Sequence, residues 1–291
     1  MRPVGRVDVI RTAIDRGIDF LDTANVYSRG GSERTVGEAI DGMCDELVVA
    51  TTVRGEMADR QNGSGLSRKH VLEQARASLD RLGTDYVDLY QIHRWDDDAP
   101  TTETLSALDH LVGEGLVHYV GASTMPAWKF TKALYEADVN NYERFVCQQP
   151  EYSLVRRHEE QNLLPVCEDQ GIGVIPWSPL AGGFLAGKYD REAGGEGRLA
   201  EDGDDPVTER FPDAHWDVLD VVRDLADEKD TSPVAVSLVW LLHKDVVTAP
   251  IVGPKSVEQL EDDLEAVAVE LSDEEVEYLE APIDPVWPRQ D

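Results

Sequence analysis

Residues 68–93 read RKHVLEQARASLDRLGTDYVDLYQIH. The apolar positions of Arg68–Leu82 recur with helical spacing, and Gly83 stands where a helix ends, so this part predicts a helix. Val87–His93 is short and rich in β-branched and aromatic residues, which predicts a buried strand. The segment is therefore one helix–strand unit of an α/β protein.

The same alternation continues on both sides of this unit. Six further strands are predicted at Phe20–Thr23, Leu47–Thr52, Val117–Ser123, Phe145–Gln149, Gly173–Ser178 and Val247–Val252. Helical patterns are predicted between and around them at Val7–Arg16, Glu33–Ile40, Thr102–Glu114, Ala127–Ala137, His158–Gln170, Trp216–Glu228 and Pro233–His243. Strict alternation favours parallel strands joined by helices. No linker divides the pattern, so we expect a single domain over residues 1–291.

Two parallel architectures compete, an open doubly wound sheet and a closed (β/α)8 TIM barrel. No G-x-G-x-x-G follows the first strand, and Gly253-Pro254-Lys255-Ser256 lacks the spacing of a phosphate-binding P-loop. The barrel is therefore favoured. It is one strand short, because the pattern begins with a helix at Val7. Gly187–Pro212 reads as a long loop, either a lid or a solvated insertion.

The composition excludes several classes of function. The 291 residues include 58 acidic and 27 basic side chains, which gives a formal charge of −31. Such a polyanion repels nucleic-acid phosphates and anionic lipids, so neither is an expected partner. Only 7 of the basic residues are lysines. This scattered acidity predicts adaptation to high salt, where screening weakens self-repulsion.

The cysteines and the first residues bear on location. Cys44, Cys147 and Cys167 are an odd number without C-x-x-C spacing, which argues against disulfides and against a metal site. Four arginines interrupt residues 1–17, so no signal peptide is predicted. We expect a cytoplasmic protein with reduced thiols.

Three side chains at strand ends could carry out chemistry. Asp22 closes the first predicted strand, Tyr27 lies in the loop after it, and His93 closes Val87–His93 on its inward face. Alone, an inward histidine is usually a hydrogen-bonded core residue, and a loop tyrosine usually packs. Together with a carboxylate they predict a proton donor and a carbonyl polariser at one cavity.

At this point the sequence resembles the aldo-keto reductase superfamily. Motifs in family order cover nearly the whole chain: Asp22-Thr23-Ala24-x-x-Tyr27, Gly30-Gly31-Ser32-Glu33, Tyr90-Gln91-Ile92-His93, Val120-Gly121-Ala122-Ser123, Gln149-Pro150-Glu151-Tyr152-Ser153, Pro176-Trp177-Ser178-Pro179-Leu180 and Gly253-Pro254-Lys255-Ser256. The resemblance implies a TIM-barrel oxidoreductase that uses NADPH to reduce a small-molecule aldehyde or ketone. It assigns Tyr27 as the proton donor, His93 as the polarising residue and Asp22 as their acidic neighbour.

The resemblance also implies a cofactor site. Ser123 and Gln149 would bind the nicotinamide carboxamide, and Trp177 would stack on the ring. Ser178, Leu180 and Gly182 would approach the pyrophosphate, and Lys255 and Ser256 the 2′-phosphate. Gln259 and Asp263 would lie near the adenine. Trp95 would form a wall of the substrate pocket.

The chain departs from the family pattern in three places. The family has a lysine, paired with the Asp22 equivalent, where this chain has Thr52; Arg54, two residues on, is a candidate replacement. The hairpin and first barrel strand are missing, which predicts either a start site placed too far downstream or a seven-stranded variant. Asp262-Asp263 replaces the Glu-Asn usual near the adenine.

Two functional hypotheses follow. The first is an NADP-dependent aldo-keto reductase, weakened by the loss of the lysine. The alternative is a catalytically impaired NADP(H)-binding homologue with a regulatory or structural role. A third possibility is a chain that does not fold alone. The oligomeric state and the carbonyl substrate are not specified by the sequence.

Overall fold

A computed structural model describes residues 4–192, 194–195, 199 and 207–285. These residues form two compact units. The first comprises residues 4–149, 170–172 and 255–257, and the second comprises the other described residues.

Eleven α-helices lie in the described residues: α1 Val4–Asp15, α2 Gly31–Ala39, α3 Arg68–Leu82, α4 Thr101–Gly113, α5 Ala127–Asn140, α6 Leu163–Gln170, α7 Val207–Arg210, α8 Asp213–Lys229, α9 Pro233–Leu242, α10 Val257–Leu264 and α11 Asp273–Glu280. The strands of the same residues are β1 Phe20–Asp22, β2 Val48–Val53, β3 Val87–Ile92, β4 Val117–Ser123, β5 Phe145–Gln149, β6 Gly173–Val174, β7 Tyr189–Asp190 and β8 Gly194–Gly195.

The first unit contains strands β1 to β5, which pair in chain order and are all parallel. Helices α2 to α5 alternate with them. This is the predicted α/β arrangement of a (β/α)8 barrel, and the first described element, α1, precedes β1. The predicted fold class is confirmed. Because the strands are parallel, their carboxyl ends lie at one edge, where loop side chains converge.

Local sequence signals set the boundaries of α3 in this unit. The Ser67 side chain accepts a hydrogen bond from the His70 backbone N–H at the start of the helix, and Gly83 ends it with φ of 72°. Buried aromatic packing joins the helices to the sheet, as between Phe130 of α5 and Phe145 of β5, whose ring centroids are 6.0 Å apart.

The second unit departs from the predicted strands. Only Gly173–Val174 of the predicted Gly173–Ser178 is a strand. The predicted strand Val247–Val252 is wrong: it forms an isolated bridge from Val247 to Val174 and two backbone hydrogen bonds, but no regular ladder. Proline explains both results. Pro176 and Pro250 have no N–H to donate, so a regular ladder cannot continue through them.

The core of the second unit is aromatic. Phe184 stacks on Phe211 at 3.8 Å between centroids and meets the edge of Trp216 at 4.8 Å. Large buried rings of this kind contribute much of a core's apolar area. Aromatic packing therefore holds α8 against the 3₁₀ turn at Ala181–Ala186.

The predicted loop Gly187–Pro212 contains short elements where it is described, namely β7, β8 and α7. Residues 193, 196–198 and 200–206 lie outside the described residues, so the choice between a lid and an insertion stays open. Within the described residues, no disulfide bond joins Cys44, Cys147 or Cys167. Among the described helices, none combines the length and apolar character needed to span a bilayer.

Candidate active site

The register of β1 to β3 brings polar side chains to one face of the sheet. Asp22 lies beside Ala50, and Thr52 lies beside Gln91. Alternate residues of a strand point to the same face, so Asp22, Thr52 and Gln91 share it. The strand ends thus place a carboxyl, a hydroxyl and an amide next to one another.

Two amides hold the Asp22 carboxyl. Its Oδ1 accepts a hydrogen bond from Gln91 Nε2 at 3.2 Å and another from Gln149 Nε2 at 3.1 Å. Burial raises the pKa of Asp22 to about 7, and the two amide hydrogen bonds oppose that rise. No cation among the described residues pairs with Asp22, and its raised pKa allows the carboxyl to be protonated near neutral pH.

Thr52 occupies the position at which the family pattern has a lysine. Its side chain is buried, and its hydroxyl has no hydrogen-bond partner among the described residues. A buried hydroxyl without a partner is energetically costly. Arg54 does not replace the lysine, because no described hydrogen bond or ion pair joins it to Asp22.

Tyr27 and His93 lie together at the strand ends. Their ring centroids are 5.6 Å apart, with the planes at 84°. Tyr27 is 46% exposed, so a ligand can reach its hydroxyl. The turn after it is strained, since Ser28 and Arg29 both adopt the left-handed conformation. The predicted donor and polariser are therefore neighbours, and the donor faces open space.

The charges around this pair shift both pKa values. Partial burial and the Asp22 carboxyl raise the pKa of Tyr27, against the opposing effect of Arg94. Burial lowers the pKa of His93, and the positive charges of Arg94 and Arg54 lower it further. At neutral pH Tyr27 keeps its proton and His93 is uncharged.

Ser123 and Gln149, predicted to bind the nicotinamide carboxamide, lie side by side in the register of β4 and β5. The Ser123 hydroxyl donates to the Gln149 backbone carbonyl at 2.8 Å, while the Gln149 side chain reaches Asp22. Both side chains are buried. A carboxamide bound here would compete with Asp22 for the Gln149 amide.

In the second unit, Trp177, Ser178, Leu180 and Gly182 follow the short strand β6. Trp177 bridges to Glu151 and is partly buried. Ser178 and Gly182 have positive φ values of 54° and 71°, which turns the backbone sharply. Leu180 packs its side chain against a small apolar cluster of Ala235, Leu238 and Ala266.

The remaining predicted cofactor residues flank α10. In the first unit, Lys255 and Ser256 directly precede α10, and Lys255 is exposed. The N-terminus of a helix favours a bound anion. In the second unit, Gln259 is exposed and Asp263 is partly buried near the helix end. Burial and the neighbouring Asp262 raise the pKa of Asp263 to about 6.

Trp95, predicted as a pocket wall, belongs to a polar cluster. Its indole N–H donates to Asp97 at 2.9 Å, and the Lys129 ammonium lies 5.3 Å from its ring centroid. These contacts hold the Trp95 indole in place, and Trp95 follows His93 by two residues in the chain. Its role as a wall stays a prediction.

Sequence reasoning missed two functional neighbours, Gln91 and Arg94. Gln91 is one of two amide partners of Asp22, and its inward position on β3 was a signal that could have identified it. Arg94 had no such signal, since an arginine after a strand is ordinarily a solvated charge. Its effect on Tyr27 and His93 emerges only in the folded chain.

Comparison with known proteins assigns these motifs to a family. The model described as "Aldo/keto reductase family" matches residues 2–284. An aldo-keto reductase of Fusarium vanettenii is 36% identical and aligns over 94% of this chain and 80% of its own. Versiconal hemiacetal acetate reductase of Aspergillus parasiticus is 35% identical over 95% and 86%. The uncharacterized oxidoreductase YrpG of Bacillus subtilis is 37% identical over 91% and 83%.

Proposed function

This chain belongs to the aldo/keto reductase family, and from that premise we propose that it is an NADP(H)-dependent oxidoreductase that reduces an aldehyde or ketone to an alcohol. One observation carries the proposal. Tyr27 and His93 lie in edge contact at the carboxyl ends of parallel strands, with Asp22 as their acidic neighbour. Catalytic groups of (β/α)8 barrels occupy this position.

Tyr27 and His93 have different roles in the proposed reaction. Tyr27 holds its proton at neutral pH, because its pKa is raised, and it gives that proton to the carbonyl oxygen as negative charge develops there. Neutral His93 donates a hydrogen bond to the same oxygen and orients the carbonyl. A tyrosine with a raised pKa is a weaker acid, so slow turnover is expected.

The residues present fit the dinucleotide. The position that a Cβ would take at Gly183 has no heavy atom within 4 Å, which leaves the turn open to a phosphate. In the second unit, Ser178, Leu180 and Gly182 would line this turn, and the family resemblance assigns Trp177 to stacking on the nicotinamide. In the first unit, it assigns Ser123 and Gln149 to the carboxamide. NADPH, when bound, supplies a hydride to the carbonyl carbon.

The choice of NADP over NAD rests on Lys255 and Ser256. A lysine ammonium and a hydroxyl before a helix can bind the 2′-phosphate that only NADP carries. Gln259 and Asp263 are assigned to the adenine. The cytoplasmic location and the salt adaptation belong to the proposal as well, supported by the charge of −31 and the few lysines.

Replacing Tyr27 with Phe tests the assignment. Tyr27→Phe removes only the hydroxyl, so we expect the rate of NADPH oxidation with an aldehyde panel to fall by about 10²–10⁴-fold. NADPH affinity should change little. Tyr278→Phe, at a 48% exposed tyrosine of α11, is the matched control and should keep the parent rate. A Tyr27→Phe variant as fast as its parent would overturn the role of Tyr27.

The alternative function is an NADP(H)-binding homologue with little catalysis. It is favoured by Thr52 and by the lack, in the part of the chain that the structure describes, of a cation paired with Asp22. It predicts tight NADPH binding and no oxidation with any carbonyl in the panel. Multiple turnovers by the parent would exclude it.

A further inference from the structure

Two arginines stand beside the catalytic pair. Arg94 follows His93 directly in the chain. Arg54 follows Val53, whose backbone carbonyl accepts a hydrogen bond from the His93 N–H at 2.8 Å. The ends of β2 and β3 therefore place Arg54 next to His93, and the positive charges of Arg54 and Arg94 both act on the His93 imidazole.

These charges are uncompensated within the described part of the chain. Neither Arg54 nor Arg94 forms an ion pair there, and Arg54 Nε is buried without a hydrogen-bond partner. Other arginines of the same unit have carboxylate partners, as Arg76 has Glu114 and Arg81 has Glu33. With 58 acidic residues available in the chain, a buried guanidinium nitrogen without an acceptor is anomalous.

The backbone holds Arg54 in place. Its φ is 143°, a conformation that side chains rarely adopt. The Arg54 carbonyl accepts a hydrogen bond from Gly65 N–H at 2.8 Å. The next residue, Gly55, packs so closely on Val26 that a Cβ would lie 2.5 Å from the Val26 Cβ. Strained backbone conformations cluster at functional sites. Here the contacts hold the Arg54 backbone close to His93 and to the loop that carries Tyr27.

We propose that the substrate is an anionic carbonyl compound, with a carboxylate or phosphate near its carbonyl group, and that Arg54 and Arg94 bind the anion. This inference rests on the proposed function and names its substrate class. Guanidiniums bind such oxygens through paired, charge-assisted hydrogen bonds. A bound anion would orient the carbonyl toward Tyr27 and His93.

A matched pair of aldehydes tests the proposal. We would measure kcat/KM for 4-carboxybenzaldehyde and for its methyl ester, at the lowest KCl concentration at which circular dichroism shows a folded chain, because salt screens exposed charges. The parent should prefer the acid by about 10- to 100-fold. In Arg54→Gln and in Arg94→Gln the ratio should fall toward one.

Arg34→Gln is the control, because Arg34 is an exposed arginine of α2 and is not among the charges that shift the pKa of Tyr27 or His93. It should keep both parental values. A parent that reduces the ester as well as the acid would overturn the inference while leaving the reductase function intact. A preference that survives both substitutions would overturn it too.

A binding measurement tests the anion site even if the parent protein has no measurable turnover. Titration calorimetry should show 4-(hydroxymethyl)benzoate binding at least 10-fold more tightly than benzyl alcohol, with the difference lost in Arg54→Gln. That result together with no reduction of any aldehyde would refute the proposed catalysis but support an anion site. Equal affinities would refute the anion site.

Discussion

Two acidic side chains of the first unit contrast sharply. Glu33 is fully buried, yet its carboxylate accepts from Arg81 Nε at 2.5 Å and from the Thr51 hydroxyl at 2.7 Å. Among the described residues, Asp22 accepts side-chain hydrogen bonds from two neutral amides, those of Gln91 and Gln149. The neighbours Thr51 and Thr52 belong to the same strand, but Thr51 bonds to Glu33 while the Thr52 hydroxyl has no described partner.

The difference between Glu33 and Asp22 distinguishes a carboxylate that stabilises the fold from one in the candidate active site. A buried charge that only stabilises structure needs a close opposite charge, since desolvation costs several kcal/mol. A group that acts on protons needs a pKa near the working pH, which requires incomplete compensation. Asp22, with a pKa of about 7, lacks that compensation, so its charge, which acts on Tyr27, changes near neutral pH.

The largest effect should come from giving Asp22 a cation. In Thr52→Lys, the ammonium would pair with Asp22 and favour the ionised carboxylate. It would also lower the pKa of Tyr27 and strengthen it as an acid. We expect kcat for aldehyde reduction to rise by about 10²–10⁴-fold. Steady-state NADPH oxidation measures this, and a folded Thr52→Lys variant at the parental rate would show that the lysine is dispensable here.

Removing the cation from Glu33 should destabilise the fold. Arg81→Met leaves a buried carboxylate unpaired, and we expect the free energy of unfolding to fall by about 3–5 kcal/mol. Arg76→Met is a matched control on α3, because Arg76 pairs with Glu114 at the surface and its loss should cost less than about 1 kcal/mol. Denaturant unfolding at fixed KCl compares them. Equal losses would contradict the contrast.

A smaller effect concerns the dependence of stability on pH. Asp22 titrates near pH 4 when unfolded and near pH 7 when folded, so between these values the folded state binds more protons. Its stabilising contribution is complete below about pH 4 and is lost as the pH rises through 7. Asp22→Asn should therefore gain stability relative to the parent between pH 5 and 8.

The control residue for this experiment, Asp97, has a pKa shift opposite in sign to that of Asp22. The hydrogen bond from Lys129 lowers the pKa of Asp97, so Asp97 contributes stability above its unfolded pKa. Asp97→Asn should show no gain over the same range. If Asp22→Asn and the parent lose stability in parallel from pH 5 to 8, Asp22 is not the group that titrates there.

Local patterns predicted most of the first unit. β3, β4 and β5 begin or end within one residue of their predictions, because each is a short apolar run bounded by loop residues. The helix α11 was missed although Ser272 and Glu275 form a capping box at its start. The predicted strand Val247–Val252 was wrong because Pro250 interrupts a ladder that its apolar residues favour.

Sequence alone determined the parallel α/β pattern, the family and the positions of Asp22, Tyr27 and His93 at strand ends, since these depend on periodicity and ordered motifs. Only tertiary structure decided the partners of those residues. Gln149 reaches Asp22 across 127 positions of the chain, and Arg54 lies beside His93 rather than Asp22. Such contacts depend on strand register and backbone direction, which fix a side chain's electrostatic surroundings and are not encoded in its immediate sequence neighbours.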